Sequence, residues 1–333
     1  MREKIKNGKW KYALALFAAA FFWGTTFAAQ SIGADYVGPF TYLTIRSYIG
    51  TVFLLPFIFG KKLFQKHGNN TAETITGSCS YTETGAENCD DSRNPSDASD
   101  QTGHIQSFFT AHPLLTAGVC CGFLLFASSA LQQYGIQYST AANASFITAM
   151  YVVIVPLLAL FGGKKPGVRI WISVVLCVIG LYLLCMKGGF TISYGDFFLL
   201  LCALGFSFQI MTINHFSTQV DGLKLAASEF FAEAVFATVC MLLFEHPDSE
   251  NLIKAMPSIL YAGIFSNGIA YTCQIIGQKH VNPTVASLIM CLESVFGTLS
   301  GWLILHETLT IRELSGCVVM FAAILLCTIP TKK

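Results

Sequence analysis

The sequence is short of charge. Asp, Glu, Lys and Arg together make up 12% of its 333 residues, against about 25% in soluble domains. A chain so poor in charge cannot clothe a large water-facing surface. Its net charge of +1 leaves no electrostatic footprint for nucleic acid. Histidine is sparse, and the seven copies at 67, 104, 112, 215, 246, 280 and 306 fall nearly all in loops or at the ends of apolar runs. Neither His-x-x-x-His nor Gly-x-Ser-x-Gly occurs, so the commonest zinc- and serine-hydrolase signatures are missing. Twelve cysteines are present, but ten lie in apolar runs, where Cys acts as a small hydrophobe. The other two, Cys79 and Cys89, have nine residues between them and no nearby His pair, which makes a weak metal pattern. The sequence calls for no catalytic residue, no metal and no cofactor.

Hydrophobic residues, at 53%, fill the space that charge leaves, and 28 residues are Phe. Spanning a hydrocarbon core of ~30 Å takes about 20 mostly apolar residues as helix. Ten runs qualify: Trp10–Ser31, Gly38–Phe59, Ala111–Gln133, Thr140–Phe161, Gly167–Lys187, Tyr194–His215, Gly222–Phe244, Ala255–Gly277, Asn282–Ile304 and Thr310–Ile329. The first is too long for a signal-peptide core of about 7–15 residues and is read as retained. With the N-terminus inside and loops alternating, 16 of the 20 Lys and Arg fall inside and 3 outside, Arg46 lying within a span. The positive-inside rule then puts both termini in the cytoplasm of a multi-pass cell-membrane protein. Residues 61–107, rich in Ser, Thr, Asn and acids, cannot bury enough apolar surface to order themselves and read as a disordered cytoplasmic loop.

The second half repeats the first. Residues 135–185 align without gaps on 277–327, an offset of 142. Gly135, Ala144, Ser145, Ile147, Leu157, Leu183, Leu184 and Cys185 meet identical residues at Gly277, Ala286, Ser287, Ile289, Leu299, Leu325, Leu326 and Cys327. Spans four and five thus correspond to nine and ten. A unit of five spans is odd, so its tandem copy enters the membrane from the opposite side. The expected architecture is all-α and integral to the membrane, with ten transmembrane helices as two inverted five-helix repeats, 10–187 and 194–329. Secondary transporters are built this way, with the binding site near midplane between the halves.

Several segments are similar to the EamA type of carrier: Phe22-Trp23-Gly24-Thr25-Thr26-Phe27, Gly38-Pro39-Phe40 with Arg46, Ala286-Ser287-Leu288 leading to Leu292-Glu293-Ser294-Val295-Phe296, and Gly301-Trp302 through Thr310. Ser294 stands where that family often has Pro, and His306 where it often has Gly; the long loop after span two is unusual. The resemblance implies a ten-helix member of the drug/metabolite transporter superfamily. Such carriers move small metabolites, commonly amino acids or similar solutes, and often outward.

Ionisable and large polar groups inside spans mark candidate pathways. Arg46 lies mid-span two, Glu229 and Glu233 share one face of span seven at i,i+4, and Glu293 is central in span nine. Arg46 reads either as a helix fastener paired with an acid or as a pathway residue. One Arg cannot neutralise three acids, which leaves Glu293 the candidate for a proton- or cation-responsive carboxylate and Glu229 and Glu233 as coupling or charge partners. Asn267, Tyr271 and Gln274 fall at i, i+4 and i+7 of span eight. Trp23 and Thr26 in span one, Gln132 in span three, and Asn143 and Ser145 in span four complete the expected substrate pathway. Pro156 predicts a kink in span four.

The expected partners are a small-molecule substrate and the bilayer, with no nucleic acid; a homodimer is neither indicated nor excluded by the sequence. The competing readings on the same scaffold are a channel and a membrane sensor. A channel usually assembles a filter or charged ring from several subunits, and no such ring is evident here.

Overall fold

The computed structural model describes residues 2–73, 112–139, 141–163, 166–185, 193–304 and 309–328, the side chains of 2–9, 61–73, 141–143, 301 and 304 excepted. Ten helices are long and apolar enough to cross a membrane: Trp10–Ala34, Pro39–Gly60, Pro113–Tyr138, Ala144–Phe161, Val168–Cys185, Tyr194–Phe216, Gly222–Phe244, Ser249–Gln278, Pro283–Ser300 and Ile311–Thr328. We call them spans one to ten. No strand occurs among the described residues. Lipid supplies no hydrogen bonds to bare backbone, so helices that satisfy themselves are the expected solution.

Local chemistry sets the helix starts. Proline opens spans two, three and nine, where its missing N–H is not needed. Asp221, Asp248 and Asn282 cap spans seven, eight and nine by accepting from backbone N–H groups. Ser193 and Asp196 form a capping box at span six. The helix of span two continues to Glu73, so the polar loop begins later than residue 61. The Lys61, Lys62, Leu63, Gln65 and Lys66 stretch is made of good helix formers without proline, and the helix runs on through it. The rest of that loop, with Cys79 and Cys89, lies outside the described residues.

Spans four and nine are each broken in two. Span four consists of Ala141–Thr148 and Tyr151–Phe161, and span nine of Pro283–Met290 and Glu293–Ile304. The two breaks coincide at the offset of 142. Three backbone bonds recur there: Ala149 N–H to Ser145 O matches Cys291 to Ser287, Met150 to Ile147 matches Leu292 to Ile289, and Val152 to Ala149 matches Ser294 to Cys291. Pro156 does not make the break; it sits inside Tyr151–Phe161. The expected kink is therefore displaced to Ala149–Met150, where the chain tightens to i→i−3 bonds.

Helix pairing obeys one exchange, that of span n for span n+5. Span three packs on six and seven, and span eight packs on one and two. Spans two and seven, four and nine, and five and ten pack on each other. Lipid gives helices no hydrophobic drive to associate, so close approach at small residues matters most. Gly135 and Gly277, which stand 142 positions apart, make similar close approaches. A Cβ on Gly135 would lie 2.7 Å from Leu199 of span six, and one on Gly277 would lie 2.5 Å from Leu16 of span one. The largest apolar cluster gathers around the two breaks, with Val152, Leu181, Leu288 and Leu292 among its buried members.

Candidate functional site

A cavity of about 50 Å³ lies between the two sets of five spans. Trp23, Thr26, Phe27 and Gln30 of span one face Phe206, Gln209 and Ile210 of span six across it. Arg46 and Gln132 enter from spans two and three. Ser266, Tyr271 and Gln274 enter from span eight. The broken spans supply Thr148 and Tyr151 from four, and Met290 and Glu293 from nine. Each broken span thus places its wall residues at its discontinuity.

Of the residues expected in the pathway, Trp23, Thr26, Arg46, Gln132, Tyr271, Gln274 and Glu293 are brought together on this wall. Asn267 is not. Its segment, Ala262–Tyr271, is wound as a π-helix, so the i, i+4, i+7 spacing no longer keeps one face. Ser266 turns to the cavity, while Asn267 is fully buried behind it and donates from Nδ2 to Ser47 Oγ at 3.2 Å. Ser145 also stands away from the wall and donates to Ser294 Oγ at 2.8 Å. Ser294, the departure from the family's usual Pro, therefore joins the first half of span four to span nine. The side chain of Asn143 lies outside the described residues.

Glu229 and Glu233 do not line the cavity; they stand behind it, fully buried. Arg46 Nη2 is 3.6 Å from Glu233 Oε1, an ion pair longer than a hydrogen bond. Ser47 Oγ donates to Glu233 Oε2 at 2.7 Å. Gln209 Nε2 donates to Glu229 Oε1 at 2.8 Å. Glu293, only 6% exposed, accepts from Tyr151 Oη at 3.1 Å. Among the described residues Arg46 is the one cation on the cavity wall, and it is spoken for by Glu233.

Several buried polar atoms of the wall find no protein partner: Trp23 Nε1, Arg46 Nε and Gln274 Oε1. A buried polar group left unmade costs about 1–3 kcal/mol, so these are atoms that water or a bound solute would satisfy. Tyr271 is fixed by edge-on contacts with Trp23, at 4.8 Å, and Phe230, at 5.4 Å. Gln209, Ser266, Thr148 and Tyr151 also line the cavity, beyond the residues expected in the pathway. Gln209 had a readable signal, being a large amide in the middle of an otherwise apolar run. No group of three or more metal-ligating side chains occurs among the described residues.

Comparison with known proteins agrees with this architecture. A solved crystal structure superposes with a TM-score of 0.70 at 16% identity, covering 96% of this chain and 97% of that one; at this identity the likeness shows the fold. A protein of Archaeoglobus fulgidus named "Uncharacterized transporter" is 27% identical over 94% of this chain and 84% of its own length. The Bacillus subtilis protein "Uncharacterized transporter YoaV" is 23% identical over 96% of this chain and 97% of its own. The model of the EamA-like transporter family matches residues 10–79, 101–186 and 193–329. This chain, a multi-pass membrane protein with ten long apolar helices and a buried cavity among them, belongs to the EamA-like transporter family.

Proposed function

We propose that the chain is a secondary transporter, and not an enzyme, carrying a small organic solute with both a cationic and an anionic group across the cell membrane. An amino acid or similar zwitterion fits this description. The carrying observation is the pairing of Arg46 and Glu293 on one buried wall. Arg46 presents guanidinium donors to a carboxylate, and Glu293 presents carboxylate oxygens to an ammonium group.

Two inverted five-helix repeats, 10–187 and 194–329, would supply alternating access by exchanging conformations about the cavity. The recurrence of the helix breaks at the offset of 142 and the n to n+5 pairing support that reading. Both termini face the cytoplasm in this scheme, and export is the direction favoured by the resemblance to outward-moving carriers. The bilayer is the protein's medium, and the cavity needs no cofactor to select its cargo.

The test is counterflow in proteoliposomes with three probes of one carbon skeleton: L-leucine, 3-methylbutylamine and 4-methylpentanoate. The zwitterion should exchange with saturation and trans-stimulation, and each half-charged relative should compete weakly. Conductive flux without trans-stimulation would favour a channel. Exclusion of all three probes would refute the two-charge reading of the wall.

A further inference from the structure

A glutamine in a cavity wall has no fixed sense. Its amide ends in a donor and an acceptor of nearly equal size, and either can face a ligand. Gln209 is the exception here, because a neighbour outside the cavity commits one end. We propose that Glu229 is a positioning residue that holds the amide nitrogen of Gln209, so that the carbonyl oxygen faces the cavity as an acceptor for a cargo's ammonium group. This rests on the two-charge reading of the cavity given above.

The geometry is one-sided. Gln209 Nε2 lies 2.8 Å from Glu229 Oε1. At this contact Glu229 Oε1 accepts, so the amide end turned towards it is the nitrogen. The other carboxylate oxygen, Oε2, has no partner, and Gln209 is the hydrogen-bond partner that the described residues give this side chain. Glu229 is fully buried and does not reach the cavity. Span seven is pressed against its neighbour at this point, since a Cβ on Gly122 would lie 2.6 Å from the Glu229 carbonyl oxygen. The carboxylate is therefore held where its hydrogen bond reaches the cavity through Gln209.

A parallel arrangement stands one helical turn away. Glu233 holds Arg46 from behind as Glu229 holds Gln209. One acid pair on span seven thus sets two wall residues of opposite sense, Arg46 as a donor to anions and Gln209 as an acceptor from cations. Plain interhelical fastening would need neither acid to be aligned with a cavity residue.

The experiment uses the full chain in proteoliposomes with the same three probes. Glu229→Gln keeps the size but lets the partner either accept or donate, so Gln209 can turn. Half-saturation for L-leucine and 3-methylbutylamine should rise about ten- to one-hundred-fold, the worth of one hydrogen bond to a charged group. The maximal rate should fall much less, and 4-methylpentanoate, which lacks an ammonium group, should compete as before. The exchanged pair Gln209→Glu with Glu229→Gln restores a donor behind and an acceptor in front, and should recover the half-saturation values. Unchanged values in Glu229→Gln, or equal weakening of all three probes, would overturn the proposal. If the natural protein takes none of the probes, the two-charge reading fails, and thermal unfolding decides the pairing separately: the exchanged pair must regain the midpoint lost in Glu229→Gln, and failure to do so refutes it.

Discussion

Tyr151 donates its hydroxyl to Glu293 at 3.1 Å, and the two residues are 142 positions apart, the offset of the proposed repeat. Cys291 Sγ lies 3.9 Å from the carbonyl oxygen of Ala149, its own equivalent at the same offset. A residue can touch its equivalent only close to the axis that relates the two copies. The pseudo-two-fold axis proposed for the repeats would therefore pass through the cavity wall at the breaks of spans four and nine. The chemistry differs across it, with a phenol on one side and a carboxyl on the other. The two orientations of such a carrier would not be equal in energy, and the cargo's ammonium group would compete with Tyr151 for Glu293.

That competition predicts a pH response. An ammonium cargo needs Glu293 ionised, so acidification should lower exchange of 3-methylbutylamine by neutralising the carboxyl. The groups around it are Tyr151, Tyr271, Cys202 and Cys291, with Arg46 on the same wall. Glu293→Gln keeps size and hydrogen bonding but cannot titrate. It should lower exchange and flatten the pH profile while leaving the amount of folded protein unchanged. An unaltered pH profile in this variant would reduce Glu293 to helix packing.

The ten spans were legible because length and apolar content alone decide whether a helix can cross a bilayer. The breaks were not. The polar residues of spans four and nine carry no mark of where hydrogen bonding lapses, and the one visible cue, Pro156, sits in an intact half-helix. The polar wall was readable at Trp23, Arg46, Tyr271, Gln274 and Glu293, since such groups are costly in lipid unless they face a cavity or partner. Asn267 misled because a one-face reading assumes 3.6 residues per turn, whereas its segment is wound more widely. Tyr151 was passed over because tyrosine is common at membrane interfaces and gives no signal of depth.

The ion pair of Arg46 and Glu233 gives a stability prediction. Removing one member leaves the other charge buried and uncompensated, which costs about 3–5 kcal/mol in comparable sites. Glu233→Gln should therefore lower the unfolding midpoint in detergent markedly. The double variant Arg46→Met with Glu233→Leu should recover most of that loss yet abolish discrimination between L-leucine and 3-methylbutylamine. A double variant no more stable than the single one would mean that the pair is not the local determinant.

Orientation can be checked with native thiols. With the loop after span two inside, a membrane-impermeant maleimide applied to intact cells should leave Cys79 and Cys89 unmodified, and permeabilised cells should show both modified by mass spectrometry. Modification in intact cells would reverse the positive-inside assignment.

Gly135 and Gly277 offer a test of the repeat that needs no cargo. Each lies where a Cβ would press on a leucine, Leu199 in one half and Leu16 in the other. Adding a methyl group to so close a contact forces a side chain or backbone to shift, at a cost of about 1–3 kcal/mol. If the halves are equivalent, Gly135→Ala and Gly277→Ala should lower the unfolding midpoint by similar amounts. Leu199→Ala should relieve the first substitution and Leu16→Ala the second, whereas the crossed combinations should relieve neither. The residues of each pair come from different spans, so relief within a pair and not across pairs can arise only from the direct contact. Relief in the crossed combinations, or a large effect at one glycine and none at the other, would show that the sequence match at the offset of 142 does not extend to the packing of spans three and eight.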